Sequence, residues 1–152
     1  DTDIFQLVDG EPQKSKLKGV IGDGKNVLFG LPGAFTSTCS KLHLPGFVAN
    51  ADKIKAKGIK NIFCLSVNDP YVMNGWGEIN NIGNSIKMLS DPYLLFTKAI
   101  GAEVDRNAKG MGIRSNRYLM VIENFTIINI HVEKETKECG LTSAENLLNN
   151  LI

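Results

Sequence analysis

The sequence predicts an α/β domain with a mixed β-sheet, and three features support this expectation. Short apolar runs alternate with helical patterns in the first half of the chain. The second half contains two apolar runs separated by a turn, and a helical pattern closes the chain. Alternating strands and helices are typical of parallel pairing with helices on the faces of a sheet, whereas a hairpin adds antiparallel strands. We therefore expect one central sheet with both kinds of pairing.

The predicted elements of the first half alternate in type. Residues 27–31 form an apolar run between turn residues, which is typical of a buried central strand. Residues 40–57 have helical periodicity, and Gly58 follows where a left-handed cap is expected. Pro45 should kink this helix or break it into two pieces, because proline cannot donate a backbone hydrogen bond. Residues 61–67 predict a second buried strand.

Further elements are expected in the following order: a helix after the turn at 68–70, a short strand at 86–89, a helix from 90–92, and hairpin strands at 118–122 and 127–132. Thr142 and Glu145 stand at the spacing of a capping box, which predicts a terminal helix carrying apolar residues from Leu147 onwards.

Length and composition indicate a single soluble globular domain over residues 1–152. Apolar residues make up 43% of the chain and charged residues 22%, which are usual proportions for such a domain. The net charge is +1, so no nucleic-acid or membrane-surface partner is expected. No apolar run approaches the length of a membrane span.

Cysteine usage and the chain start bear on the compartment. The three cysteines, Cys39, Cys64 and Cys139, include no close pair, which favours a reducing compartment over a disulfide framework. The chain begins with Asp1 rather than Met, which is compatible with the removal of a targeting peptide. We therefore expect a cytoplasmic or mitochondrial location.

The segment 31–40 carries the clearest chemical pattern. It places Cys39 just after a predicted strand, in the first turn of a helix, where unpaired N–H groups and the helix dipole favour a thiolate. Thr36 can offer a hydroxyl to the thiolate or to a bound oxygen substrate. Pro32 fixes the strand exit and can shield the sulfur from water. From the residues alone, the alternative is a buried and inert cysteine, since free cysteine is among the most buried residue types.

The pattern Pro32-x-x-x-Thr36-x-x-Cys39 resembles the peroxiredoxin active-site motif and so favours the reactive cysteine. Other stretches resemble the type-5 peroxiredoxins of animals and the type II enzymes of plants, namely residues 28–36, 43–47, 55–58, 64–70, 74–76 and 114–118. The resemblance implies a thioredoxin-like fold, a central mixed sheet flanked by helices, a homodimer, and no metal or organic cofactor.

The implied activity is that of a thiol peroxidase acting on hydrogen peroxide and organic hydroperoxides. Cys39 would become a sulfenic acid, which thioredoxin or, as the alternative, glutaredoxin with glutathione would reduce. A second hypothesis is a peroxide sensor, a redox relay or a signalling protein with the same sulfur chemistry. A disulfide reductase is disfavoured because the chain has no Cys-x-x-Cys motif.

The resemblance also assigns the basic residue of the site. The catalytic arginine of the family corresponds to Arg117, where a guanidinium would lower the pKa of Cys39 and donate to peroxide oxygens. Arg114 is expected to have a supporting or surface role. His43 is interpreted as structural rather than as a ligand or base, because His131 is the only other histidine and no zinc pattern results.

The chain departs from the animal family members at the resolving cysteine. Ser143 occupies that position, so the resemblance favours a one-cysteine mechanism. Cys139 is the possible internal resolving residue, and Cys64 is expected to be buried in a strand. For the homodimer, the apolar residues Phe35, Met111 and Ile113 are candidates, although they could instead cover the thiol pocket.

Overall fold

The computed structural model describes the backbone of all 152 residues and every side chain except that of Cys39. In chain order, the elements are β1 (Asp3–Val8), β2 (Glu11–Lys16), α1 (Leu17–Ile21), β3 (Lys25–Gly30), α2 (Leu44–Ala56), β4 (Ile62–Ser66), α3 (Pro70–Ile79), β5 (Lys87–Ser90), α4 (Leu95–Ala99), β6 (Glu103–Asp105), β7 (Ile113–Ser115), β8 (Tyr118–Glu123), β9 (Thr126–Val132) and α5 (Ala144–Asn146). Two π-helical turns, Cys39–His43 and Leu147–Leu151, and a 3-10 turn, Asn107–Lys109, complete them.

The centre of the molecule is a seven-stranded mixed sheet with the order β2-β1-β5-β4-β3-β8-β9. Strand β4 pairs in parallel with β3 and β5, whereas β8 pairs antiparallel with β3 and β9. The expectation of a mixed sheet flanked by helices is therefore confirmed. Strands β6 and β7 form a separate two-stranded ribbon.

The sheet divides the core into two apolar layers, because alternate residues of a strand point to opposite faces. Phe29 of β3 belongs to one layer, in which Phe47 and Ile54 of α2 are fully buried. Leu28 belongs to the other layer, which α1 supports with Leu17. Helix α2, and with it the turn that begins at Cys39, therefore lies on a single face of the sheet.

The interruption predicted from Pro45 takes the form of a π-helical turn. This turn spans Cys39–His43 and leads directly into α2, in which Pro45 is the second residue. Because Pro45 has no backbone N–H, the preceding turn lacks one α-helical hydrogen bond and can widen. Gly58 has φ 95° just after α2, as expected for a glycine at a helix end.

Some elements of the structure were not predicted from the sequence, and others differ from their prediction. The hairpin of β1 and β2 has an outer strand of polar, largely exposed residues, so apolar periodicity gives no signal for it. The capping box is wrong in detail, since Ser143 rather than Thr142 caps α5 by accepting from the Asn146 N–H. Thr142 is instead buried, and its N–H and hydroxyl both donate to Glu133.

No helix among the described residues is long and apolar enough to cross a membrane.

Candidate active site

The predicted site residues come together at the carboxyl end of β3. Pro32 and Thr36 lie in the loop that follows this strand, and Cys39 begins the π-helical turn after the loop. Arg117 directly precedes β8, whose Tyr118 pairs with Gly30 at the end of β3. The antiparallel register therefore brings Arg117 next to a loop that lies about eighty residues earlier in the chain.

Pro32, Thr36 and Arg117 share one pocket of about 180 Å³, which we call the Arg117 pocket. Its lining consists of Pro32, Thr36, Ser37, Thr38, Arg106, Met111, Arg117, Thr136 and Lys137. The side chain of Cys39 lies outside the described residues, so its predicted role as nucleophile is assigned from the sequence. Its backbone position is clear, because it follows Thr38 and stands at the start of the helical segment that continues into α2.

The Thr36 hydroxyl is oriented by its own loop. It donates a hydrogen bond of 2.7 Å to the carbonyl oxygen of Gly33, and the Ser40 N–H donates to the Thr36 carbonyl at 2.9 Å. Since the hydroxyl proton is used in this way, the lone pairs of the oxygen are available to accept from a ligand. Thr36 is thus suited to receive the O–H of a hydroperoxide rather than to protonate it.

Arg117 is buried, with 2% of its surface exposed, which differs from an ordinary arginine at the beginning of a strand. Its Nε donates to the Thr136 carbonyl, and its Nη1 donates to His43 Nδ1 at 3.1 Å. These two bonds fix the plane of the guanidinium. The remaining N–H groups can face the pocket that Arg117 lines.

His43 positions Arg117, a role that the sequence did not reveal. Its Nε2 donates to the Thr142 carbonyl at 2.9 Å, so its Nδ1 is the acceptor for Arg117. Burial, and then the Arg117 charge, lower the pKa of His43 to about 3. The ring also packs against Phe29 and Phe47, whose own rings are stacked on each other. Because both ring nitrogens are engaged, His43 has the structural role expected of it, with an additional contact to the arginine.

Arg114 supports the loop that carries Pro32. Its Nε donates to the Met111 carbonyl at 2.8 Å and its Nη1 to the Pro32 carbonyl at 3.1 Å. The contact fits the supporting role predicted for it. Arg114 also lies close to Gly33 of the same loop, because a Cβ added at Gly33 would lie 2.5 Å from Arg114 Nη1.

Two further side chains of the site have no place in the sequence-based prediction. Asn68, after β4, accepts from the Ala34 N–H at 2.8 Å and from the Ser66 hydroxyl at 2.9 Å, which ties the loop after β3 to the neighbouring strand. Arg106 lines the Arg117 pocket although it stands in an irregular segment after β6. Asn68 could have been found from the sequence, because it follows a predicted parallel strand at its carboxyl end. No sequence pattern points to Arg106.

The other thiols and Ser143 lie in distinct environments. Cys64 is fully buried in β4, as expected. Cys139 is half-buried in the connection between β9 and α5. Ser143 caps α5, and its hydroxyl donates to the Gly140 carbonyl at 3.0 Å. Ser143, which the resemblance to the animal enzymes places at the resolving position, serves here as a helix cap.

Comparisons with known proteins identify the family of this chain. The Redoxin family matches residues 3–148. Peroxiredoxin-2C of Oryza sativa subsp. japonica is 41% identical over 145 residues, covering 94% of this chain and 89% of its own. Peroxiredoxin-2D of Arabidopsis thaliana is 40% identical and covers 91% and 85%. The structure of reduced Prx3 from Vibrio vulnificus in complex with hydrogen peroxide has a TM-score of 0.90 at 41% identity and covers 96% of this chain and 90% of its own. The chain therefore belongs to the Redoxin family and, within it, to the peroxiredoxins, which are thiol peroxidases with a thioredoxin-like fold.

Proposed function

We propose that this protein reduces hydrogen peroxide and organic hydroperoxides with Cys39 as the nucleophile. The observation that carries the proposal is the convergence of Pro32, Thr36 and Arg117 on one pocket, which Thr38, the residue before Cys39, also lines. A peroxide needs a thiolate, an acceptor for its O–H and a donor for its departing oxygen. The similar protein of Vibrio vulnificus binds hydrogen peroxide, which supports this substrate class.

The proposed oxidation step uses the geometry of each group. The Cys39 thiolate attacks one peroxide oxygen, an S–O bond forms and the O–O bond breaks. The departing oxygen takes a proton and leaves as water or as an alcohol, while Cys39 becomes a sulfenic acid. Thr36 accepts from the peroxide O–H, Arg117 donates to the developing negative charge, and Pro32 limits the access of water.

We test the nucleophile by replacing Cys39 with Ser. The side chain is nearly isosteric, but its hydroxyl is not ionised near neutral pH, so peroxide consumption with dithiothreitol should be abolished while the circular-dichroism spectrum stays unchanged. Cys64→Ser and Cys139→Ser are the matched controls. Substantial turnover by Cys39→Ser, with Cys64 and Cys139 present, would disprove the assignment.

The reductant of the proposed cycle is a thiol outside the chain. Thioredoxin is the first candidate, and glutaredoxin with glutathione is the alternative. Ser143 supports a one-cysteine mechanism, because the family's resolving position holds a helix cap instead of a thiol. Steady-state turnover with thioredoxin and with glutaredoxin, measured side by side, distinguishes the two reductants.

Mass spectrometry after one equivalent of peroxide tests the one-cysteine mechanism. We expect a sulfenic acid trapped on Cys39 without an internal crosslink. A disulfide requires Cα atoms within about 7 Å unless the backbone moves, and Cys64 would have to leave its strand. A rapid Cys39–Cys139 disulfide, lost together with thioredoxin-dependent turnover in Cys139→Ser, would contradict this expectation.

We also propose a homodimer and a cytoplasmic or mitochondrial location. The structure leaves Phe35 and Ile113 exposed beside the site, whereas Met111 lines the Arg117 pocket. Phe35 and Ile113 are thus available to a second copy, and Met111 instead contributes to the pocket. Subcellular fractionation tests the location.

A further inference from the structure

Glu133 places a buried carboxyl group behind the site. It directly follows β9, and only 3% of its surface is exposed. A glutamate is rarely buried to this extent unless its carboxyl group has partners, because burial removes its hydration. Its Oε1 accepts from the Thr142 N–H at 2.9 Å and from the Thr142 hydroxyl at 3.1 Å. Thr142 is itself fully buried, so one oxygen of Glu133 satisfies both of its donors.

The backbone of Glu133 is attached to the segment that carries the arginine. Its N–H donates to the Arg117 carbonyl at 3.0 Å, just beyond the last pair of β8 and β9. Asn116 bridges the same two residues, since its Nδ2 donates to the Glu133 carbonyl at 2.9 Å and its Oδ1 accepts from the Arg117 N–H at 2.8 Å. The backbones of Glu133 and Arg117 are therefore fixed relative to each other.

These bonds close a loop that we call the arginine circuit, which consists of Arg117, Glu133, Thr142 and His43. The Arg117 carbonyl accepts from Glu133, and Glu133 accepts from Thr142. The Thr142 carbonyl accepts from His43 Nε2 at 2.9 Å, and His43 Nδ1 accepts from Arg117 Nη1 at 3.1 Å. All four residues are buried. The circuit thus connects the guanidinium to its own backbone through three other residues.

The Thr142 carbonyl selects the form of His43 that can hold the arginine. A neutral imidazole carries one N–H, and a carbonyl oxygen can only accept. With this carbonyl at Nε2, the proton lies on Nε2 and leaves Nδ1 as the acceptor for Arg117. If the carbonyl moved away, the proton could shift to Nδ1, and the ring could no longer accept from the guanidinium.

We propose that Glu133 is a positioning residue for Arg117: it holds Thr142 so that the Thr142 carbonyl keeps His43 in the Nε2–H form, which orients the guanidinium. This inference rests on the proposed function, in which Arg117 donates to the peroxide. The Arg117 pocket is lined by other side chains, so Glu133 acts through Thr142 and His43 and not by contact with the substrate.

Two conservative substitutions separate the position of the Glu133 oxygen from its charge. Glu133→Gln keeps an acceptor oxygen at the same distance from the backbone and removes the charge. Glu133→Asp keeps the charge but withdraws the oxygens by about 1.5 Å, the length of one C–C bond. If Glu133 acts by position, the aspartate variant is impaired and the glutamine variant is not.

Nuclear magnetic resonance of the His43 ring tests the circuit without any turnover. The chain has two histidines, and a His131→Gln variant leaves only the signals of His43. Long-range proton–nitrogen correlation spectra distinguish the two neutral forms of the ring. We expect the Nε2–H form in the unmodified protein and in Glu133→Gln. Glu133→Asp should lose part of this form to the Nδ1–H form, and an unchanged ring in this variant would contradict the proposal.

The rate of Cys39 oxidation by hydrogen peroxide, measured by quenched-flow mass spectrometry, tests the consequence for the reaction. Glu133→Asp should be slower by about ten- to a hundredfold, because a misplacement of about 1 Å can cost about a hundredfold. Glu133→Gln should react at the unmodified rate. In the Arg117→Ala background, Glu133→Asp should cause no further loss, because the group that it positions is missing.

Other results would overturn the proposal. Equal further slowing by Glu133→Asp in the Arg117→Ala background would show a general disturbance of the fold. If Glu133→Gln is slow or loses the Nε2–H form of His43, the charge of Glu133 acts and not its position; this variant decides the matter even where Glu133→Asp does not fold. If the unmodified protein consumes no peroxide with dithiothreitol, the proposed function fails, whereas the spectra of His43 still test the circuit.

Discussion

At the scale of single residues, the main result is a chain of hydrogen bonds that fixes the arginine of the site. The Thr142 carbonyl accepts from His43, and His43 accepts from Arg117. A histidine can connect these groups only in its neutral form, because a protonated ring has no acceptor nitrogen. The low pKa of His43, about 3, keeps this form across the physiological range.

Replacing Arg117 with Ala should slow the reaction with hydrogen peroxide by about two to three orders of magnitude, as the loss of one preorganised donor does in other enzymes. It should also raise the pKa of Cys39, because a buried cation would be missing. Stopped-flow fluorescence measures the rate through Trp76, the only tryptophan of the sequence, whose Nε1 donates to the hydroxyl of Ser40, the residue after Cys39. Arg114→Ala is the control, since Arg114 bonds to backbone carbonyls; greater impairment in that variant would place the catalytic arginine three residues earlier.

The low pKa of His43 also predicts acid sensitivity of the fold. The folded pKa is about 3, whereas an unperturbed histidine titrates near about 6.5. The unfolded chain therefore binds more protons between these pH values, and stability falls as the pH drops below about 6.5. At about pH 5, the contribution to the loss is about 2 kcal/mol.

His43→Gln tests this contribution, because an amide can accept from Arg117 and donate to Thr142 without ionising. Urea unfolding at about pH 5 and about pH 7.5 gives the acid-induced loss for each protein. The variant should lose about 2 kcal/mol less than the unmodified protein. Carboxylates contribute equally to both proteins, so identical losses would show that His43 does not carry the effect.

At the scale of elements, the ring of Tyr118 in β8 packs directly on the Gly30 backbone of β3, at the end next to the site. Gly30 of β3 faces Tyr118 of β8, and an added Cβ would lie 2.1 Å from the Tyr118 ring. The ring is fully buried and cannot move aside. The glycine is therefore required by packing, and Tyr118 directly follows Arg117 in the chain.

Gly30→Ala should lower the free energy of unfolding by about 1–3 kcal/mol through overpacking. Gly75→Ala is the matched control, because Gly75 lies inside α3 and an added Cβ would meet nothing within 4 Å. That change should stabilise the protein by up to about 1 kcal/mol. Urea unfolding measures both; a Gly30→Ala variant as stable as the original protein would show that the two strands can separate without cost.

At the scale of the whole molecule, two exposed phenylalanines lie near opposite ends of β8. Phe35 has φ 64° and is 58% exposed beside the site, whereas Phe125 has φ 70° and is 48% exposed in the turn between β8 and β9. Both have left-handed backbone conformations, which asparagine also tolerates. Substituting each phenylalanine in turn therefore tests which end of the sheet a second copy covers.

If the homodimer uses the face beside the site, Phe35→Asn should shift it towards monomer at micromolar concentration, because apolar contact area is lost. Phe125→Asn should leave the association unchanged. Sedimentation velocity distinguishes the species. An unmodified protein that sediments only as monomer would contradict the dimer, and dissociation by Phe125→Asn alone would place the interface at the opposite end of the sheet.

Much of the fold follows from local patterns that the sequence contains. The apolar runs that became β3, β4 and β8 are buried because a central strand must be apolar on both faces. Asp69 caps α3 by accepting from the Val72 N–H, as its place before a proline predicts. The outer strand β2 and the ribbon of β6 and β7 have no such pattern, since they gain their order from pairing with neighbours.

For the site, the sequence by itself determined the residue types and the family motif around Thr36 and Cys39. Only the tertiary structure decided how Arg117 is held, because its partners His43 and Thr136 lie on either side of it in the chain and meet it only when β8 pairs with β3. The same holds for Arg106, which has no local signal and becomes part of the Arg117 pocket through the packing of the segment after β6. Local sequence patterns indicate which residues are buried and which backbone conformation a segment prefers. Contacts between distant segments depend on the register in which strands pair, and the sequence of one segment alone does not determine that register.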